Sequence, residues 1–492
     1  MTAEDAGHRS PDGAYEWSVG NVGGKPLMIR HFAPDAISDL YSPGQIDEPI
    51  LLYRGHFTVL AGEGTPGRAC DGDIRLSWLP TPRIEVNGEY SPAPEDIEAF
   101  LGSGADTRIW HQRPRVRLPD SDGIPQPPTQ EAPPWSREPG TAYLGGAEIY
   151  PPEIGDGAVL TKVTGLIANG WDGLGNRIAN LNDRRQTWFG RATARGDGWL
   201  LDIDGLDPSR EDLARLRRSG GYGATHTLSL QRADGSPFTG EGALQALDAI
   251  RCALSLIVGR RADVVLPVGW HDDKPVWAWW TAGRVDSFRE YGSWLDASIG
   301  GPQAGEVIGQ FLKRWPDQLS SDSLRYATSY YVQALALGVE LGIAAAVSGL
   351  LLLAYSWLVE ENQLYSKTAW GNLSPETESQ IRALLKMSDC RINTAVPAAF
   401  VHLAAVAEQL NAGGQPRDGL GCVIRMRNDV IHPTRTKRTK WSAYEWAEAH
   451  SLAVHFLELA LLAYIGYRGR IHPRISANRW LGYTEDVPWL GC

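Results

Sequence analysis

Apolar residues in the first third of the chain come in short runs or alternate with polar ones between Gly, Pro and Asp breakers. HFTVLAG (56–62) and DIRLSWL (73–79) read as strands on this pattern. From about 113 to 152 the pattern gives way to RPRVRLPDSDGIPQPPTQEAPPWSREPG, whose prolines favour extended backbone over a packed core. The next stretch mixes periods: HTLSLQR (226–232) predicts a strand, GALQALDAIRCALSLIVG (242–259) an amphipathic helix, and VVLPVGW-HDDK-PVWAWW (264–280) a hairpin. Past about 300 the spacing becomes helical throughout, from GEVIGQFLKRW through SLRYATSYYVQALAL, ESQIRALLKM, AAFVHLAAVAEQL and DGLGCVIRMRNDVIH to SAYEWAEAHSLAVHFLELALLAYIGY. Two helix starts are signed, by Ser374-Pro375-Glu376 and by the capping box Ser442-x-x-Glu445.

The expected fold class is therefore α+β and multidomain, a β-rich N-terminal half followed by an all-α bundle. The boundaries fall at a β-rich domain over 1–112, a Pro-rich linker or surface loop over 113–155, an α/β accessory domain over 156–300, the helical domain over 301–475 and a tail over 476–492. The uncharged segment LGIAAAVSGLLLLAYSWLV (341–359) is long enough to span a bilayer, but Glu340 and Glu360-Glu361 flank it with no nearby Lys or Arg to orient it. It reads as a helix buried within a bundle or a dimer interface, with no membrane role. The N-terminus lacks a basic segment followed by an apolar one, so it does not read as a secretion signal. Five scattered cysteines indicate neither a zinc site nor a disulfide framework, and a cytoplasmic setting is expected. No cofactor or metal is called for.

A net charge of −11 makes the whole molecule repel polyanions, so any nucleic-acid contact has to be a local patch. RMRNDVIHPTRTKR (425–438) supplies one. With 11 histidines in the chain, an arginine a few residues before a histidine means little alone, and the helical context carries the case. At about 100° per residue, Val423, Met426, Val430 and Ile431 share one arc while Arg425, Asn428, Asp429 and His432 share the opposite one. Arg427 falls in the apolar arc, where an unpaired guanidinium is costly and needs a carboxylate or a phosphate. Glu340, Glu360 and Glu458 are the carboxylates that would make this a plain buried ion pair. Asn428 and His432 are four apart and so neighbours on the helix surface. Pro433 disfavours helical geometry at His432 and puts that ring at the helix end. Arg425, Arg435, Lys437, Arg438 and Lys440 then form a local cationic patch suited to RNA phosphates.

R-N-x-x-x-H on a late helix of an all-α domain resembles the HEPN superfamily, in particular its Apea-like, abortive-infection-type members. The resemblance covers about residues 305 to 470. It implies a HEPN-type helical bundle and a metal-independent endoribonuclease whose cleft forms where two such domains pair. Arg427, Asn428 and His432 are the catalytic residues carried over by motif position. Some branches place a Tyr two residues after the His, and here that position is Thr434. The chemistry suits the side chains: His432 can move a proton near neutral pH, and Arg427 can hold charge on the phosphorane. One histidine per chain favours a homodimer that brings two together. The implied role is a toxin or anti-phage abortive-infection effector cutting single-stranded RNA loops, a tRNA among them, with a phage or host trigger read by the N-terminal region. The alternative is a non-catalytic HEPN dimer that binds nucleotide, RNA or a partner protein.

Three further features read as structural. His450 and His455 are five apart on the last helix and do not share a face. GRIHPR (469–474) echoes the motif by coincidence. Of Trp270, Trp277, Trp279 and Trp280, the adjacent pair must face opposite sides of a strand, so at least one belongs to the core and a ligand platform is not required.

Overall fold

A computed structural model of the 492-residue chain describes residues 8–9, 15–22, 25–31, 37, 39–60, 68–90, 115–118, 124–125, 127, 142–145, 148–149, 153–171, 176–181, 184–206, 210–289, 292–296, 300–387, 389–415, 417–434, 440–476, 480, 482–483 and 484–490. Most of the Pro-rich stretch between 113 and 152 lies outside the described residues, as does the end of the strand expected at 56–62.

Strands β1 (His8–Arg9), β2 (Tyr15–Val22) and β3 (Lys25–His31) form an antiparallel three-stranded sheet. A six-stranded sheet follows in the order β8-β6-β5-β4-β7-β9, from β4 (Ile50–Leu60), β5 (Arg68–Ser77), β6 (Arg83–Tyr90), β7 (Arg115–Arg117), β8 (Ala142–Gly145) and β9 (Glu148–Ile149). The central element is an eight-stranded antiparallel sheet, ordered β10-β19-β18-β12-β16-β15-β14-β13. Its strands are β10 (Glu153–Ile154), β12 (Lys162–Ala168), β13 (Asn176–Leu181), β14 (Arg184–Gly196), β15 (Trp199–Gly205), β16 (Ala224–Arg232), β18 (Asp263–His271) and β19 (Lys274–Trp279); β11 (Val159–Leu160) and β17 (Phe238–Thr239) pair beside it.

Both faces of the central sheet are covered, which is why VVLPV in β18 shows no polar alternation. Val265, Val268, Ala278 and Trp280 share a core with Ile50, Leu52, Ile74 and Leu76 of the six-stranded sheet. On the opposite face Val163, Ile167, Leu201 and Leu228 pack under the helices. The expected hairpin is present: Asp272 and Asp273, at φ 47° and 60°, make the two-residue turn between β18 and β19. Trp277 and Trp280 are buried, Trp279 packs half-buried on the helix-covered core, and Trp270 is half-buried with its indole donating to Thr164 Oγ1 at 2.8 Å. Trp279 and Trp280 thus face opposite sides, as their adjacency requires.

Helix α1 (Arg210–Ser219) precedes β16, and α2 (Gly240–Val258) lies along the sheet, capped by Thr239 and ended by Gly259 at φ 69°. Helix α3 (Gly300–Arg314) begins the helical half, yet it docks on β14 of the central sheet. Glycines permit this approach. A Cβ on Gly305 would stand 2.3 Å from the Thr193 carbonyl oxygen, and one on Gly309 would stand 2.6 Å from that of Arg195. Exchanging a helical glycine for alanine ordinarily gains up to about 1 kcal/mol of helix propensity. Here the obstacle is backbone, which cannot rotate away, so Gly305→Ala is expected to lose about 1–3 kcal/mol. Urea unfolding of the full chain checks the sign; a gain in stability would show that α3 does not sit on the strand.

The bundle continues with α4 (Gln318–Ala336), α5 (Val339–Tyr355), α6 (Lys367–Gly371), α7 (Glu376–Leu385), α8 (Val401–Ala412), α9 (Gly419–Ile431) and α10 (Ala443–Tyr464), before a ribbon of β20 (Arg470–Ile471) and β21 (Glu485–Asp486). The architecture is α+β, strands first and helices after. One apolar core runs from Leu160 of β11 to Val487, so no solvent gap separates the accessory region from the bundle. The apolar segment forms α5 and continues as a π-helical turn, Ser356–Glu361, packed against α4, α7, α9 and α10. It is long and apolar enough to cross a membrane, but 67% of its most apolar window is buried. The Ser442–Glu445 capping box starts α10 with both of its bonds formed. At Ser374-Pro375 the expected cap is corrected: Pro375 itself occupies the N-cap position, and no side chain caps the helix there.

Candidate functional site

Helix α9 carries the motif, and its two ends are held by different means. At its start, Asp418 accepts from the Gly421 N–H at 3.0 Å and caps the first turn. Arg382 of α7 grips the same carboxylate through both terminal nitrogens at 2.6 and 2.9 Å, and the Thr394 hydroxyl donates to it at 2.7 Å. Glu378 joins the cluster by accepting from Arg382 and Arg417. Gly419 lets the helix begin directly beneath the Thr394–Ala395 backbone, where a Cβ would meet the Ala395 carbonyl oxygen at 2.8 Å. Leu420, Val423 and Met426 then anchor the buried face.

Burial alone would raise the Asp418 carboxyl, but the hydrogen bonds from Arg382, Thr394 and the Gly421 N–H, with the Arg382 charge, hold it down at about 2. A carboxyl depressed on folding stabilises the native state above its unfolded value near 4, and this contribution is lost as pH falls through about 2. Asp418→Ala is expected to cost about 1–2 kcal/mol near neutral pH. It should also flatten the acid limb of a melting-temperature profile taken from about pH 5 to pH 2. An unchanged acid limb would mean that Asp418 does not carry the linkage.

At the other end, His432 lies at the C-cap with φ −121° and ψ 66°, its N–H donating to the Asn428 carbonyl at 3.1 Å. The non-helical geometry ahead of Pro433 is as expected, and it leaves His432 exposed. Arg427 is half-buried, and its Nη1 donates to Asn428 Oδ1 at 3.2 Å. Its Nε is buried without a hydrogen bond, and burial pulls the guanidinium below the usual arginine range.

Among the described residues no carboxylate pairs with Arg427, which overturns the plain ion-pair explanation. Glu458 is engaged by Arg474 and Tyr331 instead, while Glu340 and Glu360 are exposed.

The polar arc drawn from helical spacing needs two corrections. Asp429 is buried, because the chain entering α10 folds over it: Trp441 Nε1 donates to its Oδ2 at 3.1 Å, and Lys440 Nζ and Arg425 Nε stand 3.9 and 3.7 Å from the same oxygen. Ile431, placed in the apolar arc, is exposed. Two of the cations expected to hold RNA, Arg425 and Lys440, therefore spend part of their charge on Asp429. Arg435, Lys437 and Arg438 lie outside the described residues.

The structure brings Arg427 and Asn428 side chains together and sets His432 on the same helix end. It adds Asp429 and Trp441 as organisers that spacing did not mark. One signal was available, since Trp441 stands directly before the capping box and must be buried somewhere close to it.

The histidines read as structural, His450, His455 and His472, keep that reading. Burial pushes His455 down to about 4, and the His450 ring lies 2.7 Å from the Ala334 carbonyl oxygen. His472 sits against the Tyr483 carbonyl at 2.9 Å.

Two protein-family models match the chain, the YopA central domain over residues 155–291 and the YopA C-terminal domain over residues 317–486. Between them falls the stretch that contains α3. The chain is also similar to the SPbeta prophage-derived uncharacterized protein YopA of Bacillus subtilis (strain 168), 22% identical over 480 residues that cover 92% of this chain and 98% of the relative. No solved structure matches.

Proposed function

We propose that this YopA-like chain is a metal-independent endoribonuclease of HEPN type, with His432 as the proton-transfer group and Arg427 as the phosphate clamp. The observation that carries the reading is the pairing of an exposed histidine at a helix end with a half-buried arginine that has no carboxylate partner among the described residues. A guanidinium placed this way is under-neutralised, and a phosphodiester oxygen would supply the missing charge. Its hydrogen bond to Asn428 fixes the fork, so little rotamer freedom is lost when phosphate binds.

The chemistry follows from these groups. Imidazole takes the proton of a ribose 2′-hydroxyl, that oxygen attacks the adjacent phosphorus, and the 5′-oxygen leaves, giving a 2′,3′-cyclic phosphate and a new 5′-hydroxyl. Arg427 lowers the cost of charge on the pentavalent intermediate. One imidazole cannot readily serve as both base and acid on one phosphate, so the active form is a homodimer with a His432 from each chain. The prophage origin of the Bacillus relative supports placing the activity in phage–host conflict, in the cytoplasm, with the β-rich half reading a phage or host trigger. Incubating the purified chain with total RNA in EDTA and mapping the ends formed tests the proposal. Cyclic-phosphate ends support it, and intact RNA even with phage lysate added as the trigger would sink it.

A second reading, a non-catalytic dimer that binds RNA, nucleotide or a partner, is favoured by the commitment of Arg425 and Lys440 to Asp429. It predicts binding without new ends.

A further inference from the structure

Beside the His432 end of α9, two helix starts carry exposed aromatic rings that no part of the proposed chemistry uses. Tyr444, in the first turn of α10, is 69% exposed, and the ring of exposed His402 in α8 stacks on it with centroids 5.0 Å apart and planes 17° from parallel. The neighbouring Val401 is 64% exposed.

The frame under these rings is rigid. The Leu403 N–H donates to Glu448 Oε2 at 2.7 Å, tying the first turn of α8 to α10. The capping box fixes where α10 begins, and Trp441, three residues before Tyr444, is bound through its indole to Asp429. Asp429 in turn stands three residues before His432 on the same chain. Each of these three-residue steps reaches at most about 10 Å, so the stacked rings and His432 border one end of the bundle within the reach of a few nucleotides. The acids in the first two turns of α10, Glu445 and Glu448, accept from backbone N–H groups.

We infer that Tyr444 and His402 form a stacking platform for an unpaired base of single-stranded RNA, whose phosphates run toward Arg427 and His432; this rests on the RNA reading above. Two flat rings held parallel on a fixed frame present a π-face to which any base can add without ordering new side chains. The adjoining cation is Arg427, which has no carboxylate partner among the described residues and so suits a polyanion; Lys440 is shared with Asp429. The combination of an aromatic face with flanking cations is how single strands are gripped without base-specific hydrogen bonds. It also gives the site a reason to prefer loops to duplex, since a paired base has no free face to stack.

The test is fluorescence anisotropy of the full chain with a labelled, 2′-O-methylated single-stranded oligonucleotide, which cannot be cleaved. Tyr444→Ala is expected to weaken binding at least about fivefold, the low end for one stacked base, with the salt dependence unchanged. Tyr444→Trp, which keeps a large flat ring, should bind at least as tightly as the native chain. Removing bases from the oligonucleotide should bring the native chain down to the affinity of Tyr444→Ala. If the native chain binds and Tyr444→Ala binds equally, the platform is wrong while the RNA reading stands. If the native chain binds no oligonucleotide, both fall. If Tyr444→Ala instead converts a dimer to monomers in sedimentation, the rings belong to a contact between copies and the platform is overturned.

Discussion

Replacing His432 with alanine is expected to slow RNA cleavage by about 10²–10⁴-fold, the range for removing a general acid or base, while leaving the fold unchanged. The second half of that expectation comes from the structure. His432 is exposed at the C-cap, where its backbone N–H closes the last turn, and Ala keeps that N–H, so truncating the exposed ring is expected to cost α9 little. Arg427→Ala should also lower the rate. Arg427→Lys should not restore it, because an ammonium cannot reproduce the planar fork that Asn428 aligns. The assay is cleavage of total RNA in EDTA with quantification of cyclic-phosphate ends. Mixing native and His432→Ala chains adds a dimer criterion: if each cleft uses both histidines, mixed dimers are crippled and activity falls faster than the native fraction. A His432→Ala protein that is folded and cuts at the native rate would remove the basis of the endonuclease proposal.

The largest expected effect on stability lies away from that site. Arg474, in the chain after α10, donates to Glu458 Oε1 at 2.6 Å and to Oε2 at 3.1 Å, and Tyr331 of α4 donates to Oε1 at 2.7 Å. Glu458 is 1% exposed, and the Arg474 side chain only 10%. Burial works against the Arg474 charge, yet the adjacent Glu458 carboxylate drives the guanidinium above its ordinary range. A further bond from Arg474 to the Gly292 carbonyl ties the loop before α3 to the bundle. Arg474→Met leaves the Glu458 carboxylate in an apolar interior with one neutral donor. The expected cost is about 3–5 kcal/mol, or roughly 4–7 °C in melting temperature for a cooperative unit of this size. Glu458→Leu combined with Arg474→Met removes both charges and should recover most of that loss. Thermal unfolding of the single and double variants decides the matter; equal losses in the two would mean that packing, not the unpaired charge, sets the cost.

Helix α9 shows how far local pattern reaches. Its existence, its Asp418 start and its stop before Pro433 all follow from residues within a turn of each boundary, where capping and proline geometry act. The strands of the β18–β19 hairpin and the capping box of α10 were legible for the same reason. What failed was the assignment of faces. Asp429 looked solvent-facing by helical spacing, and only the return of the chain through Trp441 buries it and draws Arg425 and Lys440 onto one carboxylate. Glu458 looked available to Arg427, but Arg474, which lies 47 residues further along by numbering, takes it.

By itself, then, the order of residues determined the switch from strands to helices, the approximate positions of most helices in the second half, and that the apolar segment at 341–359 packs as a helix within the bundle, because periodicity and end signals are short-range. Tertiary structure alone decided which charges meet, that α3 lies on the central sheet through Gly305 and Gly309, and that Tyr444 and His402 stack across the starts of α10 and α8. The physical reason is that pairing partners and close approaches depend on distances between segments far apart in the chain. A helical wheel carries no record of what folds over it.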